Sequence, residues 1–296
     1  MGTTKVVDLD KLESSARPKR IFFQMTFVIP AAVLLILVLA AIFAPLLAPY
    51  PPDQISMPDR LMPPFFMEGG STDHLLGTDL IGRDILSRVI YGAQISLSVA
   101  LIVILITSSI GTMLGIISGY TGGRTDAFLM RITDISLAFP PILIALLLAA
   151  ILGPGFWTVV LALSFLGWAP YARLIRGEAL KLREADFVAQ ARIIGTSPIR
   201  IMGRHIFPNI INPLIIMVTL SVGMVILTEA ILSYLGAGIP RETVSWGNMV
   251  NDGRNLIDIT WWISLFPGIA IGLVVMSGNF MGDWLRDTLD PRLRQI

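Results

Sequence analysis

The sequence predicts an all-α integral membrane protein with six membrane-spanning helices. Hydrophobic residues make up 54% of its 296 residues and charged residues only 15%, and the mean hydropathy is +0.74. So few charges cannot cover the exterior of a water-soluble domain, and so much apolar surface excludes a disordered chain. Long runs without acidic or basic residues supply the spans, because about 20 apolar residues cross the hydrocarbon core of a bilayer.

The six predicted spans are free of charge or nearly so. The first is longer than the roughly 7–15-residue apolar core of a cleaved signal peptide, so we expect it to be retained. Gly153-Pro154-Gly155 predicts a tight turn that divides one long apolar run into the third and fourth spans. The spans are expected at about 27–48, within 88–124, and at 132–152, 157–175, 209–235 and 261–281.

Basic residues are distributed unevenly between the connecting segments. Seventeen of the 22 Lys and Arg lie in the two termini, residues 120–131 and residues 173–207, against five in residues 49–94 and 236–260. The positive-inside rule therefore predicts that both termini and the 173–207 loop are cytoplasmic. The predicted parts are a cytoplasmic N-terminal segment (1–24), a first transmembrane helix (25–48), an extracytoplasmic region (49–93), a five-helix core (94–284) with a cytoplasmic loop (173–209), and a cytoplasmic tail (285–296).

Residue counts exclude several kinds of chemistry. The chain has no cysteine and only two histidines, His74 and His205, so it has no thiol nucleophile and no histidine cluster for a transition metal. None of its four lysines lies in a Gly-x-x-x-x-Gly-Lys-Ser/Thr loop, so any ATP must bind another polypeptide. The net charge of +1 gives no general attraction to nucleic acid. We therefore expect neither an enzyme nor a metal-binding or nucleic-acid-binding protein.

The 173–209 loop has the pattern of two short amphipathic helices joined by a turn. Gly195 is a helix stop, and Ser197 before Pro198 is a helix start. The second helix is expected at 199–206, ending before Pro208, with Ile199, Met202 and Ile206 on one side. From these residues alone, the loop is equally consistent with a connector lying on anionic lipid headgroups and with a docking element for a cytoplasmic partner.

Residues 189–208 resemble the EAA loop of ABC importer permeases, which reads Glu-Ala-Ala, three residues, Gly, nine residues and Ile-x-Leu-Pro. Ala191, Gly195, Pro208 and the spacing match this pattern, whereas Ala189, Gln190, His205 and Phe207 differ from it. Three more motifs are similar to "C"-type permease subunits of the dipeptide, oligopeptide and nickel branch. They are Leu-Gly-Thr-Asp-Leu-Ile-Gly-Arg-Asp at 76–84, Gly-Tyr-Thr-Gly-Gly at 119–123, and Gly-Asp-Trp-Leu-Arg-Asp at 282–287 with Asp-Pro-Arg at 290–292.

This resemblance covers nearly all of the chain from residue 21. It implies the type I ABC importer permease fold and a non-catalytic subunit of the cytoplasmic (inner) membrane that imports peptides by alternating access. The implied partners are a second homologous permease, two cytoplasmic ATPase subunits that bind ATP and magnesium, and an extracytoplasmic substrate-binding protein. The helix after Gly195 would be the coupling helix, and the implied coupling residues are Ala189, Gln190, Ala191, Gly195, Thr196, Ser197, Pro198, Ile199, Met202, Arg204, His205 and Pro208.

Glu229 is an acidic residue inside the fifth predicted span. Carboxylates within a membrane are costly and often functional. Three readings stay open: a site on a transport pathway, a structural hydrogen bond to a neighbouring helix, or a position near the outer interface. The alternative function is a proton-coupled secondary transporter that uses Glu229, although the inverted repeats that such a transporter predicts are not visible.

Two further patterns concern packing. Gly111 and Gly115 form a Gly-x-x-x-Gly motif in the second span, which predicts close helix contact. Arg131 and Asp134 are three residues apart, which predicts a surface ion pair at the cytoplasmic end of the third span.

Overall fold

The structure is a computed structural model that describes residues 9–289, with side chains from Met25 onward. Parts of the predicted N-terminal segment and cytoplasmic tail, residues 1–8 and 290–296, lie outside the described residues. The described residues form helices and loops, with one isolated β-bridge between Thr78 and Asp84. The α-helices are α1 (Leu9–Ile42), α2 (Ala44–Leu47), α3 (Ile85–Thr121), α4 (Gly123–Ala138), α5 (Pro141–Leu152), α6 (Phe156–Arg183), α7 (Asp186–Ile193), α8 (Pro198–Ile201), α9 (Phe207–Tyr234), α10 (Trp246–Gly253) and α11 (Trp262–Leu289).

The described residues contain five helices long and apolar enough to cross a membrane, or six spans if one bent pair is a single span. The bent pair is α4 and α5, which meet at 82°. The prediction of one continuous helix at 132–152 was therefore wrong. Phe139 and Pro140 are extended, because a residue before proline avoids the helical conformation and two consecutive prolines remove two helical N–H donors.

The first span also ends differently from the prediction. Helix α1 stops at Ile42, and the short α2 follows after a turn at Phe43. Pro45 lies in the first turn of α2, where its missing N–H costs nothing, but it cannot continue the hydrogen bonding of α1. The predicted helix to residue 48 is thus two helices.

Helices α3 and α6 approach closely along a row of glycines. A Cβ atom added at Gly111 would lie 2.5 Å from the Trp168 carbonyl oxygen, and one at Gly115 would lie 2.7 Å from the Ala172 carbonyl oxygen. Gly119 continues the row against Ala179. The predicted packing role of the Gly-x-x-x-Gly motif is confirmed, and the contact runs one turn further than predicted.

Residues 49–84 fold against the start of α3, α10 and the start of α11. The Trp262 indole N–H donates to the Thr78 carbonyl at 3.1 Å. Asp79 is buried and accepts from Arg83 at 2.6 Å and from the buried Arg88, and both arginines also approach Asp252 of α10. Because Asp79 and Asp252 share the same two guanidinium groups, the segment before α3 is fixed to α10.

Candidate functional site

The 173–209 loop is built as two helical pieces around a turn at Gly195, as the sequence predicts. Gly195 has a φ of +80°, in the left-handed region that favours glycine. Its N–H donates to the Arg192 carbonyl at 3.0 Å, and the Thr196 N–H donates to the Ala191 carbonyl at 3.0 Å. These two bonds form a Schellman motif, which satisfies the last carbonyls of α7 and sets the direction in which the chain leaves it.

The second helical piece is not a separate helix ending before Pro208, so that prediction was wrong. Helix α8 passes into a π-helical turn, Met202–Ile206, which leads directly into α9. Pro208 lies in the first turn of α9, beside the π turn, where its missing N–H interrupts the ladder without stopping the helix. The loop is therefore continuous with the span that follows it.

The buried side of this segment differs from the predicted one. Ile201 and Ile206 are fully buried, whereas Ile199 is 79% exposed. A π turn has i→i+5 hydrogen bonds and more residues per turn than an α-helix, so Ile201 and Ile206 are buried on the same side and the stripe predicted from Ile199 does not form. The buried residues of the loop pack on α3 and α6, in a cluster with Val188, Ala191, Ile210, Ile116, Ile175 and Ala179.

Three isoleucines of the loop project outward instead. Ile193 is 83% exposed, Ile194 is 80% exposed, and Ile199 lies across the Gly195 turn from them. We call these three residues the isoleucine patch. Ile193 and Ile194 are not among the residues predicted from the sequence, although two consecutive isoleucines before a helix stop cannot both face the core of an amphipathic helix.

The other predicted coupling residues lie around this patch. Ala191 is buried, and Thr196, Met202 and His205 are half-buried. The remaining ones are exposed: Ala189, Gln190, Gly195, Ser197, Pro198, Arg204 and Pro208. Ser197 occupies the predicted N-cap position, but its side chain makes no capping hydrogen bond, and its carbonyl accepts the first helical bond, from Ile201.

Ionic and aromatic contacts hold the base of the loop to its neighbours. Arg176 of α6 donates to both carboxylate oxygens of Asp126 in α4, at 2.5 and 2.6 Å. The Arg192 guanidinium lies 5.1 Å above the Tyr120 ring, which joins α7 to α3. Asp134 pairs with Arg173 at 2.6 Å, so the predicted pairing with Arg131 was wrong. Packing of α4 against α6 selects this partner over the one nearby in sequence.

Glu229 is fully buried near the C-terminal end of α9. The Ser233 hydroxyl donates to one carboxyl oxygen at 2.8 Å, and the Ser96 hydroxyl of α3 donates to the other at 3.1 Å. Ser96 in turn accepts from the Trp246 backbone N–H at 3.4 Å. The helix ends five residues later at Tyr234. This carboxyl group joins α9, α3 and the start of α10, which is the geometry of a structural hydrogen bond between neighbouring helices.

The helical bundle, its bent span and its short loop with an exposed apolar patch are the parts of a membrane-embedded permease subunit. Residues 111–295 match the family described as binding-protein-dependent transport system inner membrane component. Residues 19–64 match the N-terminal TM domain of oligopeptide transport permease C. The chain belongs to this permease family. It is a non-catalytic membrane component with the type I importer fold, as the sequence resemblance implied.

The chain is similar in sequence to curated permease proteins over most of its length. It is 40% identical over 261 residues to the di/tripeptide transport system permease protein DppC of Pseudomonas aeruginosa, covering 88% of this chain and 86% of that protein. The dipeptide transport system permease protein DppC of Haemophilus influenzae is 39% identical over 262 residues, with 88% and 89% covered. The oligopeptide transport system permease protein OppC of Bacillus subtilis is 38% identical over 263 residues, with 89% and 84% covered.

Proposed function

We propose that this chain is one of two permease subunits in an ATP-driven importer of short peptides in the cytoplasmic membrane. The isoleucine patch is the observation that carries the proposal, because three exposed isoleucines within seven residues of a predicted cytoplasmic loop would be removed from water by a protein partner. The cargo assignment is supported by the dipeptide and oligopeptide permeases to which the chain is similar along most of its length.

The patch would seat in a cleft of a cytoplasmic ATPase subunit, with the turn at Gly195 as the coupling element. Burial of one isoleucine side chain is worth about 1.5–3 kcal/mol, so three of them supply a substantial part of a docking interface. The turn is held by the Schellman bonds, and the opposite side of the loop packs on α3 and α6. Movement of the ATPase subunits would therefore reach the spans through a rigid contact, driving alternating access.

The remaining parts of the complex follow from the same proposal. A second, homologous permease completes the pathway, two ATPase subunits bind ATP and magnesium, and an extracytoplasmic binding protein delivers the peptide. Both chain termini and residues 173–209 face the cytoplasm, and residues 49–93 with the segment that carries α10 face the binding protein. This orientation is supported by the excess of Lys and Arg on the proposed cytoplasmic side.

The first experiment is purification of the tagged chain in mild detergent, with mass spectrometry of the proteins that co-purify. We expect a second permease and one or two ATPase proteins. A homo-oligomer without any ATPase, after crosslinking as well, would contradict the proposal. Uptake into vesicles separates the proton-coupled alternative, since that function requires a proton gradient and Glu229 but survives removal of ATP.

A further inference from the structure

We infer that a cavity inside the helix bundle binds one residue of the transported peptide, as an uncharged side chain together with an adjoining amide group. The inference rests on the proposed function, because it names where that cargo is held in this subunit. The cavity has a volume of about 260 Å³ and lies between α3, the α4–α5 bend, α6 and α9. No lining residue is charged, and most of the lining is apolar.

The hydroxyl of Tyr171 is the buried polar group that indicates a ligand in this cavity. Its side chain is 3% exposed, and its hydroxyl makes no hydrogen bond of normal geometry with any group in residues 9–289. The Ser221 hydroxyl is its polar neighbour in the cavity and donates to the Met217 carbonyl at 2.8 Å, so its oxygen could accept from Tyr171, but only in a geometry that falls short of a hydrogen bond. Buried hydroxyl groups are almost always hydrogen-bonded, so the Tyr171 hydroxyl is expected to bind water when the cavity is empty and a ligand group that displaces this water when it is filled.

Three of the other four hydroxyl groups that line the cavity are acceptors, and the fourth, that of Ser136, can donate or accept. The Thr107 and Thr228 hydroxyls, like that of Ser221, donate to carbonyls of their own helices at 2.7–2.8 Å, which leaves their oxygens free to accept. Pro170 has no N–H that could donate to the carbonyl of Leu166, four residues earlier in α6. Leu166 also lines the cavity. A ligand that fits must bring an N–H donor for these oxygens and a carbonyl for the Tyr171 hydroxyl.

A peptide amide has both groups, whereas a lipid acyl chain has neither. The apolar lining takes up an uncharged side chain beside that amide, and the absence of a charged lining residue disfavours an ionised one. The volume equals about eight or nine waters at roughly 30 Å³ each, which is room for one amino-acid residue rather than a whole oligopeptide.

The location of the cavity is consistent with a place on the transport route. Phe139 and Pro141, which flank the bend between α4 and α5, line one side of it. Helix α5 has 12 residues, a length of about 18 Å, so the bend lies near the middle of a hydrocarbon core about 30 Å thick. Transporters commonly bind substrate beside interrupted helices at this depth.

The first test is uptake of alanyl-leucine by the complete complex in proteoliposomes, comparing wild type, Tyr171→Phe and Tyr91→Phe. Tyr91→Phe is the matched control, because Tyr91 is a half-buried tyrosine of α3 outside the cavity. We expect Tyr171→Phe to raise the KM about two- to tenfold, the effect of one neutral hydrogen bond, and Tyr91→Phe to behave as wild type. Wild-type kinetics in Tyr171→Phe would overturn the inference.

The second test uses the absence of cysteine from the chain, which makes any introduced thiol unique within it. Ser221→Cys places a thiol in the cavity, and Thr121→Cys places one at the exposed inner end of α3. During ATP-driven turnover, alanyl-leucine should slow N-ethylmaleimide labelling of Ser221→Cys at least threefold and leave Thr121→Cys unaffected.

The outcomes separate the two proposals. Equal labelling of Ser221→Cys with and without peptide, in a complex that imports peptide, overturns the cavity assignment alone. The same holds if Ser221→Cys is unreactive in both cases, since a partner subunit or lipid then fills the space. A wild-type complex with all its subunits that imports no peptide overturns the proposed function and this inference with it.

Discussion

Arg176 donates two hydrogen bonds to Asp126, at 2.5 and 2.6 Å, and so fastens the C-terminal part of α6 to the first turn of α4. The Ser118 hydroxyl donates to the same carboxylate at 2.5 Å and adds α3 to the contact. Bidentate hydrogen bonds between an arginine and a carboxylate are among the stronger polar interactions in proteins. This contact holds α4 to α3 and α6, the two helices on which the 173–209 loop packs.

We expect Asp126→Asn to lower the stability of the solubilised subunit by about 1 kcal/mol, which is roughly 2–4 °C in the midpoint of thermal unfolding. The amide keeps the size of the side chain but loses the charge and one acceptor for Arg176. Asp134→Asn is the control, because its pair with Arg173 is mostly exposed and should contribute nothing measurable. Equal midpoints for both variants would contradict the role given to Asp126.

Gly195→Leu should uncouple ATP hydrolysis from peptide uptake. A leucine at a φ of +80° is strained by about 1–2 kcal/mol, although a Cβ there would meet no atom within 4 Å, so the change acts on the turn and not on packing. Gly195→Asn is the matched control, since asparagine tolerates this conformation and should retain most of the coupling. Unchanged peptide-stimulated hydrolysis and uptake in Gly195→Leu would count against the coupling role.

Replacing the isoleucine patch with serine, as Ile193→Ser, Ile194→Ser and Ile199→Ser together, should release the ATPase subunits. The three side chains are about four-fifths exposed, so the subunit itself should fold as before. Ile259→Ser, at an isoleucine 72% exposed in the segment predicted to be external, should have no effect. The measurement is the ratio of ATPase to permease after affinity purification, and a ratio equal to wild type in the triple variant would disprove docking through this patch.

Glu229→Gln should retain most of the peptide uptake if the carboxyl group is structural. A glutamine can still accept from Ser96 or Ser233, whereas Glu229→Leu leaves both hydroxyls buried without this partner and should cost about 2–4 kcal/mol. Uptake and thermal unfolding of both variants are the measurements. Loss of uptake in Glu229→Gln with unchanged unfolding would instead favour the proton-coupled alternative.

Local sequence patterns were enough to predict the spans and the turn at Gly195. A charge-free run fixes a span without reference to other parts of the chain, and a glycine after an amphipathic helix fixes its stop. The close contact of α3 with α6 was likewise predicted in part, because small residues one turn apart need no knowledge of the partner helix to indicate packing.

Proline was the least reliable signal. Pro170, Pro213 and Pro267 all lie inside continuous helices, since neighbouring groups in a bundle compensate for one missing N–H. The consecutive prolines at 140 and 141 do break a span, because two adjacent donors are lost. One sequence does not distinguish these cases, nor does it indicate that Pro208 would follow a π turn.

Contacts between segments that are distant in the sequence could not be predicted either. Asp134 forms an ion pair with Arg173 rather than with Arg131, and Asp126 pairs with Arg176, fifty residues away. Helix packing determines which charged side chains lie close enough to pair. The Tyr171 cavity depends on four helical elements at once. No periodicity within one helix predicts such a space.

The helical segment from Pro198 to Tyr234 is continuous, so the 173–209 loop is joined to the following span without a flexible connection. These 37 residues form a rod about 55 Å long, anchored at its far end where Ser96 binds Glu229. Its other end is packed on α3 and α6 through Ile201, Ile206 and Ile210, so under the proposed function a push on the loop would move these helices together. Ser221 and Thr228 lie along the same segment, so such a movement would change the width of the space in front of Tyr171.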